Sequence, residues 1–454
     1  MPDTIAACSS GSMPCGIAVL RLSGPKALAI TDGLFFPRTG GPLSTREPRK
    51  LVYGRLLARD GALLDLCLAC RYSPNHSYTG EDLVEFFTHG SQAVAAGLLE
   101  HCYALGAVPA PAGEFTKRAF LSGRMDLTEA EAVGELIHST SVLGAKAAAA
   151  QLEGSVGSRV RDIREKVLGL LAHFYAVCDY TDEDLEPFDL AHAAQTLEEA
   201  ETELTALTQG FARGQLVREG VPTAIIGKPN AGKSTLFNAL AGAERAIVTD
   251  EAGTTRDVLE QVISCQGAPI RILDTAGLRE GESQAERMGI ARARAAAESA
   301  QAVLCVLDAS RPLEEEDRAA LALAAKAPHW ALVLNKTDLA PAPPWQRDIL
   351  EKYAPEGVFP VSAKNGQVEP VAAWLAALAP QPGEVLVTSA RQAHLLEQAR
   401  QALSHARESA RAGMTADAFL MDAEQGIDLL GQVTGETASA DMAYEIFSRF
   451  CVGK

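Results

Sequence analysis

The sequence has no run of 18 uncharged apolar residues, and its first residues, MPDTIAAC, carry neither a basic start nor an apolar leader core. Such a chain is expected neither to enter a membrane nor to be exported, and we read it as cytoplasmic with no membrane partner. It is also short of positive charge. With 41 Lys and Arg against 58 Asp and Glu its net charge is −17, which argues against nonspecific coating of nucleic acid, because cation contacts to phosphate supply most of that affinity. A local basic surface is compatible with this balance. Cysteine is present but not arrayed: nine residues are scattered, and the odd count points to free thiols rather than a disulfide framework. Cys67 and Cys70 form a CxxC, yet they lie in LLDLCLAC, which reads as a strand, where residues three apart face opposite ways. His89, His101 and His138 lack the Cys or carboxylate spacing of a metal set.

What is present is length and a change of texture along it. At 454 residues the chain exceeds one hydrophobic core, and two to four domains are expected. Residues 1–120 alternate short apolar runs (GIAVLRLSG, LLDLCLAC, LVEFFTHG) with Gly, Pro and Ser turns and one helical stretch near Gln92 to Leu105, an α+β pattern. From Leu121 long helices take over. Val156, Val160, Ile163, Val167, Leu170, Phe174 and Val177 repeat every four and three residues, as in the core stripe of a helical bundle or an intermolecular coiled coil. The carboxylates of DYTDED, from Asp179, read as a solvated bend between helices. After Gly210 the pattern becomes strand, Gly-rich turn, helix, and APQPG at Ala379 to Gly383 ends that unit before helices resume. The expected architecture is multidomain: an α+β domain over 1–120, a discontinuous helical domain over 121–216 and 381–454, and an α/β P-loop domain over 217–380 inserted between its halves.

The inserted segment carries the chemistry. VPTAIIGKPNAGKSTLFNAL sets Gly227, Gly232, Lys233 and Ser234 in the spacing GxxxxGKS after an apolar strand and before a helix. In that setting backbone N–H groups cradle phosphates, the Lys neutralises β and γ oxygens, and the Ser supplies a Mg²⁺ ligand. The base is chosen elsewhere. Asn335, Lys336, Thr337 and Asp338 follow the strand ALVL, and a carboxylate such as Asp338 can accept from the two donors that guanine offers and adenine lacks. Ser362, Ala363 and Lys364 form a second base-side loop, and GTTRD (Gly253 to Asp257) and DTAGL (Asp274 to Leu278) lie between. In this order the set specifies GTP. Leu278 stands where Ras-type enzymes carry a water-orienting Gln, and an apolar side chain cannot polarise water.

Beyond this segment, LRLSG, SYTGEDLVEF, GEFTKRAFLSGRMDLTEAEAV and the terminal FCVGK follow the order found in the MnmE (TrmE) family of bacterial tRNA-modification GTPases, which the chain resembles over its whole length. The resemblance implies a GTPase that acts with the flavoprotein MnmG, as a heterotetramer carrying FAD on the partner, to modify carbon 5 of the wobble uridine of certain tRNAs towards 5-carboxymethylaminomethyluridine. It implies a one-carbon unit from 5-formyl- or methylene-tetrahydrofolate bound by the N-terminal domain. It also implies a homodimer through that domain and a transient dimer of GTPase domains.

Residue by residue, the folate contacts fall on Arg21, Glu85, Arg124 and Lys454. Arg124 replaces the Lys usual in the family, which keeps charge but not geometry. On residues alone, Glu85 equally suits a turn cap and Arg21 a solvated strand. The GTP contacts fall on Asn230, Ala231, Gly232, Lys233, Ser234 and Thr235, on Thr249, Thr254 and Thr255, on Asp274, Thr275, Ala276 and Gly277, and on the two base-side loops. Asn230 becomes a K⁺ ligand with carbonyls of Thr249, Glu251 and Thr254, the ion taking the place of an arginine finger. Thr255 joins Ser234 on Mg²⁺, and Glu286 orients the attacking water, although by itself it is an ordinary helix-start carboxylate. Cys451 fits either a thiol near the folate or a small core residue.

Two other readings compete. A ribosome-assembly GTPase of the Era or Der type shares the motifs but carries a KH appendage or duplicated GTPase units, of which the sequence has neither. A scaffold with purely structural nucleotide predicts damaged switch or Mg²⁺ residues, and the motifs are intact.

Overall fold

The computed structural model describes residues 3–179, 186–243, 260–273, 286–340, 345–380, 387–413, 416–448 and 450–453. Its contacts divide the chain into two compact units: 1–134 with 157–165 and 427–454, and 135–156 with 166–426.

The first unit is built on a seven-stranded sheet in the order β3-β4-β5-β6-β2-β1-β7, with β1 Ile5–Cys8, β2 Cys15–Ser23, β3 Phe35–Pro37, β4 Val52–Leu57, β5 Leu63–Tyr72, β6 Leu83–Gly90 and β7 Val108–Pro109. Pairing is antiparallel except between β1 and β7. Alternation along the strands decides which side is core. Ala18, Leu20 and Leu22 of β2 and Val84 and Phe86 of β6 are buried against the helices Ala27–Leu34 and Gln92–Ala104 through Ile30, Leu34, Ala95 and Leu98. Each large apolar side chain so buried contributes about 1.5–3 kcal/mol. The intervening residues, Arg21 and Glu85 among them, therefore share the opposite face. The CxxC lies within β5 as expected, and Cys67 and Cys70 are both buried. The C-terminal segment belongs to this unit. Phe447 and Phe450 stack beside Phe120, and Val452 bridges to Ala112.

The second unit combines helices with a six-stranded sheet in the order β13-β12-β11-β8-β10-β9. Its strands are β8 Val221–Ile226, β9 Glu260–Cys265, β10 Ala268–Leu273, β11 Ala302–Asp308, β12 His329–Asn335 and β13 Gly357–Pro360. All neighbours are parallel except β9, which pairs antiparallel with β10 at the edge. Every residue of β11 is buried, as a central parallel strand covered on both faces requires. The strand order reverses at β8, flanked by β10 and β11, so the crevice for a ligand opens at the carboxyl end of β8. The helix Leu190–Glu219 leads into β8, and packs Leu197, Ala200, Leu204 and Leu207 at helical spacing in company with Leu396, Ala399, Leu403 and Ala406 of the helix Ala390–Arg411. The heptad-like stripe lies on one helix, Ser155–Asp179, with Val156, Val160, Ile163, Val167 and Leu170 buried and Phe174 and Val177 half-buried. Of DYTDED, only Asp179 lies within the described residues.

Candidate functional site

At the carboxyl end of β8 the chain turns through Gly227 to Gly232 into the helix Lys233–Ala243. Three residues of the turn have positive φ, Gly227 (146°), Asn230 (63°) and Gly232 (97°). Gly232 is required twice over, since a Cβ there would also lie 2.1 Å from Asn335 Nδ2. Lys233 curls back over the loop, its Nζ donating to the carbonyls of Gly227 (2.9 Å) and Lys228 (3.0 Å), and burial lowers its pKa. Ala231, Ser234 and Thr235 complete the loop and the first turn of the helix, where the helix dipole favours an anion. Lys228, its side chain 7% exposed, sits between Asp317 (3.2 Å) and Glu314 (3.3 Å). Burial pulls its pKa down, but the two carboxylates outweigh this and leave it raised.

The base-side loops stand beside the phosphate loop. Asn335, at the end of β12, joins three segments: its Nδ2 donates to the Ala231 carbonyl at 2.9 Å, and its Oδ1 accepts from the Ala363 N–H at 3.1 Å. Thr337 N–H donates to the Val361 carbonyl at 3.2 Å. Asp338 is exposed, and its Oδ1 accepts from the buried Ser362 hydroxyl at 2.7 Å, which fixes the carboxylate plane and leaves an edge for paired donors. Lys364 is exposed on the following turn. The structure thus gathers Asn230 to Thr235, Asn335 to Asp338 and Ser362 to Lys364 at one edge of the sheet. Thr249, Glu251, Thr254, Thr255, Asp274, Thr275, Ala276, Gly277 and Leu278 lie outside the described residues. Glu286 opens the helix Glu286–Ser299, and its side chain is likewise outside them.

A second cluster lies on the first unit's sheet. Arg21 and Glu85 are directly paired across β2 and β6, and Arg21 Nε donates to Glu85 Oε1 at 2.9 Å. Neither a turn cap nor a solvated strand residue describes them. The Tyr72 hydroxyl donates to the other carboxylate oxygen at 3.1 Å, the Arg21 guanidinium lies 5.5 Å from the centre of the Tyr78 ring, and Arg21 Nη1 is buried without a partner among the described residues. Burial pushes the Tyr72 phenol up, with Cys70 and Glu85 acting in the same direction. Arg124 lies nearby in the chain's packing but is engaged: its Nε and Nη2 both donate to the Ser77 carbonyl, at 3.1 and 3.0 Å. The C-terminal tail docks in the same unit, with Ser9 Oγ donating to the Gly453 carbonyl at 2.8 Å and Gly113 N–H to that of Cys451 at 3.3 Å. Cys451 is half-buried, and Lys454 is outside the described residues.

Sequence reasoning misses Tyr72 and Tyr78, as well as the Lys228 pairing and Asp308 beneath the phosphate loop. Tyr72 could have been found from the strand register of LACRY against LVEFF, but Tyr78 lies in the loop between those strands, Lys228 is a variable position of the phosphate-loop motif, and Asp308 belongs to no motif.

A family model described as MnmE helical domain matches residues 127–451, and one described as GTP-binding protein TrmE N-terminus matches residues 4–124. The tRNA modification GTPase MnmE of Natranaerobius thermophilus is similar at 37% identity, covering 100% of this chain and 99% of the relative. That of Synechococcus sp. (strain JA-3-3Ab) is similar at 39%, with the same coverage of 100% and 99%. A solved structure of Era in complex with MgGDPNP and nucleotides 1506–1542 of 16S ribosomal RNA is similar at 26% identity over 40% of this chain and 65% of that chain, with a TM-score of 0.28.

Proposed function

The chain belongs to the MnmE family of tRNA-modification GTPases, and on that premise we propose that it is a potassium-dependent GTP hydrolase which, with the flavoprotein MnmG, modifies carbon 5 of the wobble uridine of certain tRNAs using a tetrahydrofolate one-carbon unit. The observation that carries the nucleotide half is the bracing of phosphate loop and base-side loops by one side chain, Asn335, through Ala231 and Ala363. A ligand with a base at one end and phosphates at the other fits that spacing, and the exposed Asp338 edge suits guanine.

Mg²⁺, when bound, neutralises charge developing on the transferred phosphoryl group, and K⁺ adds to this in the position an arginine finger takes elsewhere. The chain's own donors for them are Ser234 and Thr255 for Mg²⁺ and Asn230, Thr249, Glu251 and Thr254 for K⁺, all hydroxyl, amide or carbonyl oxygens and so suited to hard cations. Lys233 holds the β and γ oxygens, and Glu286 orients water in the absence of an amide at Leu278.

Support for the folate half is a half-used guanidinium. Arg21 spends Nε on Glu85 and has a buried Nη1 with no partner among the described residues, the Glu85 carboxylate can take donors of a pterin edge, and Tyr78 offers an aromatic wall. The folate supplies the carbon unit, while these residues bind and orient it together with Arg124 and Lys454. The reading further takes the first unit as the homodimer contact and the GTPase domains as pairing transiently. Mass spectrometry of wobble nucleosides from cells lacking the protein tests the whole. Loss of the carbon-5 modification, restored by the parent chain and not by Lys233→Ala, supports it; an unchanged nucleoside profile contradicts it.

A further inference from the structure

Beneath the phosphate loop, at the carboxyl end of β11, lies a carboxylate to which neither motif nor family reading gives a role. Asp308 has a side chain 3% exposed, and its Oδ2 accepts from Lys336 Nζ at 2.7 Å. The same ammonium donates to the Asn230 carbonyl at 2.8 Å. We propose that Asp308 is a positioning residue for nucleotide binding: it seats Lys336 against the Asn230 carbonyl and so locks the phosphate loop to the base-side loop. The proposal rests on reading Asn230 and Lys336 as phosphate-side and base-side residues.

Two features separate this role from that of a strand-end cap. Asp308 Oδ1 already serves the local turn, accepting from Ser310 N–H at 3.0 Å and from its hydroxyl at 2.6 Å. An asparagine would close that turn equally well. Oδ2 lies 3.7 Å from the exposed Arg311 guanidinium but makes its short bond to a residue 28 positions ahead, whose other bond reaches 106 positions back. Moreover, the clamp joins two of the five non-glycine residues with positive φ among the described residues, Asn230 at 63° and Lys336 at 65°. Such conformations persist where surrounding contacts hold them. Burial pushes the Asp308 carboxyl up, but Lys336 and the two Ser310 donors outweigh it, and the group stays ionised below the usual carboxylate range. Lys336 itself is 28% exposed, so without the carboxylate water competes for its ammonium.

A nucleotide touches both loops at once. Holding them at a fixed spacing makes the second contact intramolecular, and its loss shows as faster release rather than slower capture. The test is stopped-flow dissociation of a fluorescent GDP from the full chain carrying Asp308→Asn, Lys336→Met, both, or Ser310→Ala. Asp308→Asn keeps the Ser310 turn and is expected to speed release about tenfold with association unchanged, as loss of a charged hydrogen bond does. The double variant is expected to release no faster than Lys336→Met alone, because the two act as one unit. Ser310→Ala, which removes one donor from Asp308, is expected to speed release about two- to threefold and carries the test if Asp308→Asn does not fold. Parental release in Asp308→Asn and Ser310→Ala with faster release in Lys336→Met overturns the clamp and leaves the base-side reading standing. Additive effects in the double variant overturn it as well, and parental release in Lys336→Met contradicts both.

Discussion

Arg21 and Glu85 stand opposite one another on β2 and β6, 64 residues apart in the chain, and are joined at 2.9 Å through Arg21 Nε, while Arg21 Nη1 is buried without a partner among the described residues. The arrangement holds a cation in place by its Nε. Replacing Arg21 with Ala should weaken binding of 5-formyltetrahydrofolate by about tenfold or more, since hydrogen bonds to charged groups contribute about 1.5–3 kcal/mol each. GTP turnover should be unchanged. Titration calorimetry giving equal folate affinity in parent and variant would rule the cluster out as the pterin or glutamate contact.

The tail should matter for the same ligand. Gly453 has φ 93°, and a Cβ there would lie 2.4 Å from the Cys8 carbonyl, so Gly453→Ala must lift the tail from Cys8 and Ser9. Folate affinity and tRNA modification are expected to fall, as on removal of Lys454, while GTP hydrolysis by the purified protein stays near the parental rate. A hydrolysis defect as large as the modification defect would show that the tail acts on the nucleotide instead.

At the nucleotide, Lys233→Ala should lower GTP turnover by about 10²-fold or more, as loss of a fixed charge-stabilising donor does. Asp338→Asn should weaken GTP about 10²-fold, two charged hydrogen bonds being replaced by one mismatched amide, and shift preference towards xanthosine triphosphate. Competition binding with the two triphosphates distinguishes this from general damage, which would weaken both alike.

Thiol reactivity should follow burial. Cys67 is pushed up to about 12, by burial first and then by the Asp65 charge, and Cys102 is pushed up to about 12 by burial. Raised pKa values leave a thiolate fraction on the order of 10⁻⁴ at pH 8, rising only as pH approaches the shifted value. Alkylation of the folded protein at pH 8 should therefore mark the exposed Cys15 and Cys178 and spare Cys67 and Cys102 until denaturant is added. Equal labelling of all four in the native protein would contradict the packing of the first unit.

How far the sequence reveals this molecule depends on how local each signal is. GxxxxGKS, NKTD and SAK each lie in one short segment after an apolar strand, and strand periodicity places them at one sheet edge. Arg21 could be joined to Glu85 only by knowing the register of β2 on β6, which single-strand alternation does not supply. The contact of Ser9 with Gly453 spans 444 residues and has no local trace. Asp308 reads as the polar end of LCVLD, and its function emerges only when parallel pairing sets it level with Asn335, one residue before Lys336.

The most direct test of the account is the cation dependence of GTP hydrolysis. Leu278 provides no water-orienting amide, and no motif places an arginine of this chain in its own site; the proposed reading assigns the developing charge to a cation held by Asn230 and the 249–254 carbonyls. An arginine finger in that position is worth about 10³ to 10⁵ in rate in other GTPases. Turnover by the purified protein, at matched ionic strength and with its GTPase domains able to pair, should be fast in potassium and slow in sodium, with no potassium response in Asn230→Ala. Equal rates in the two salts would contradict the account and direct the search to an arginine supplied by a partner.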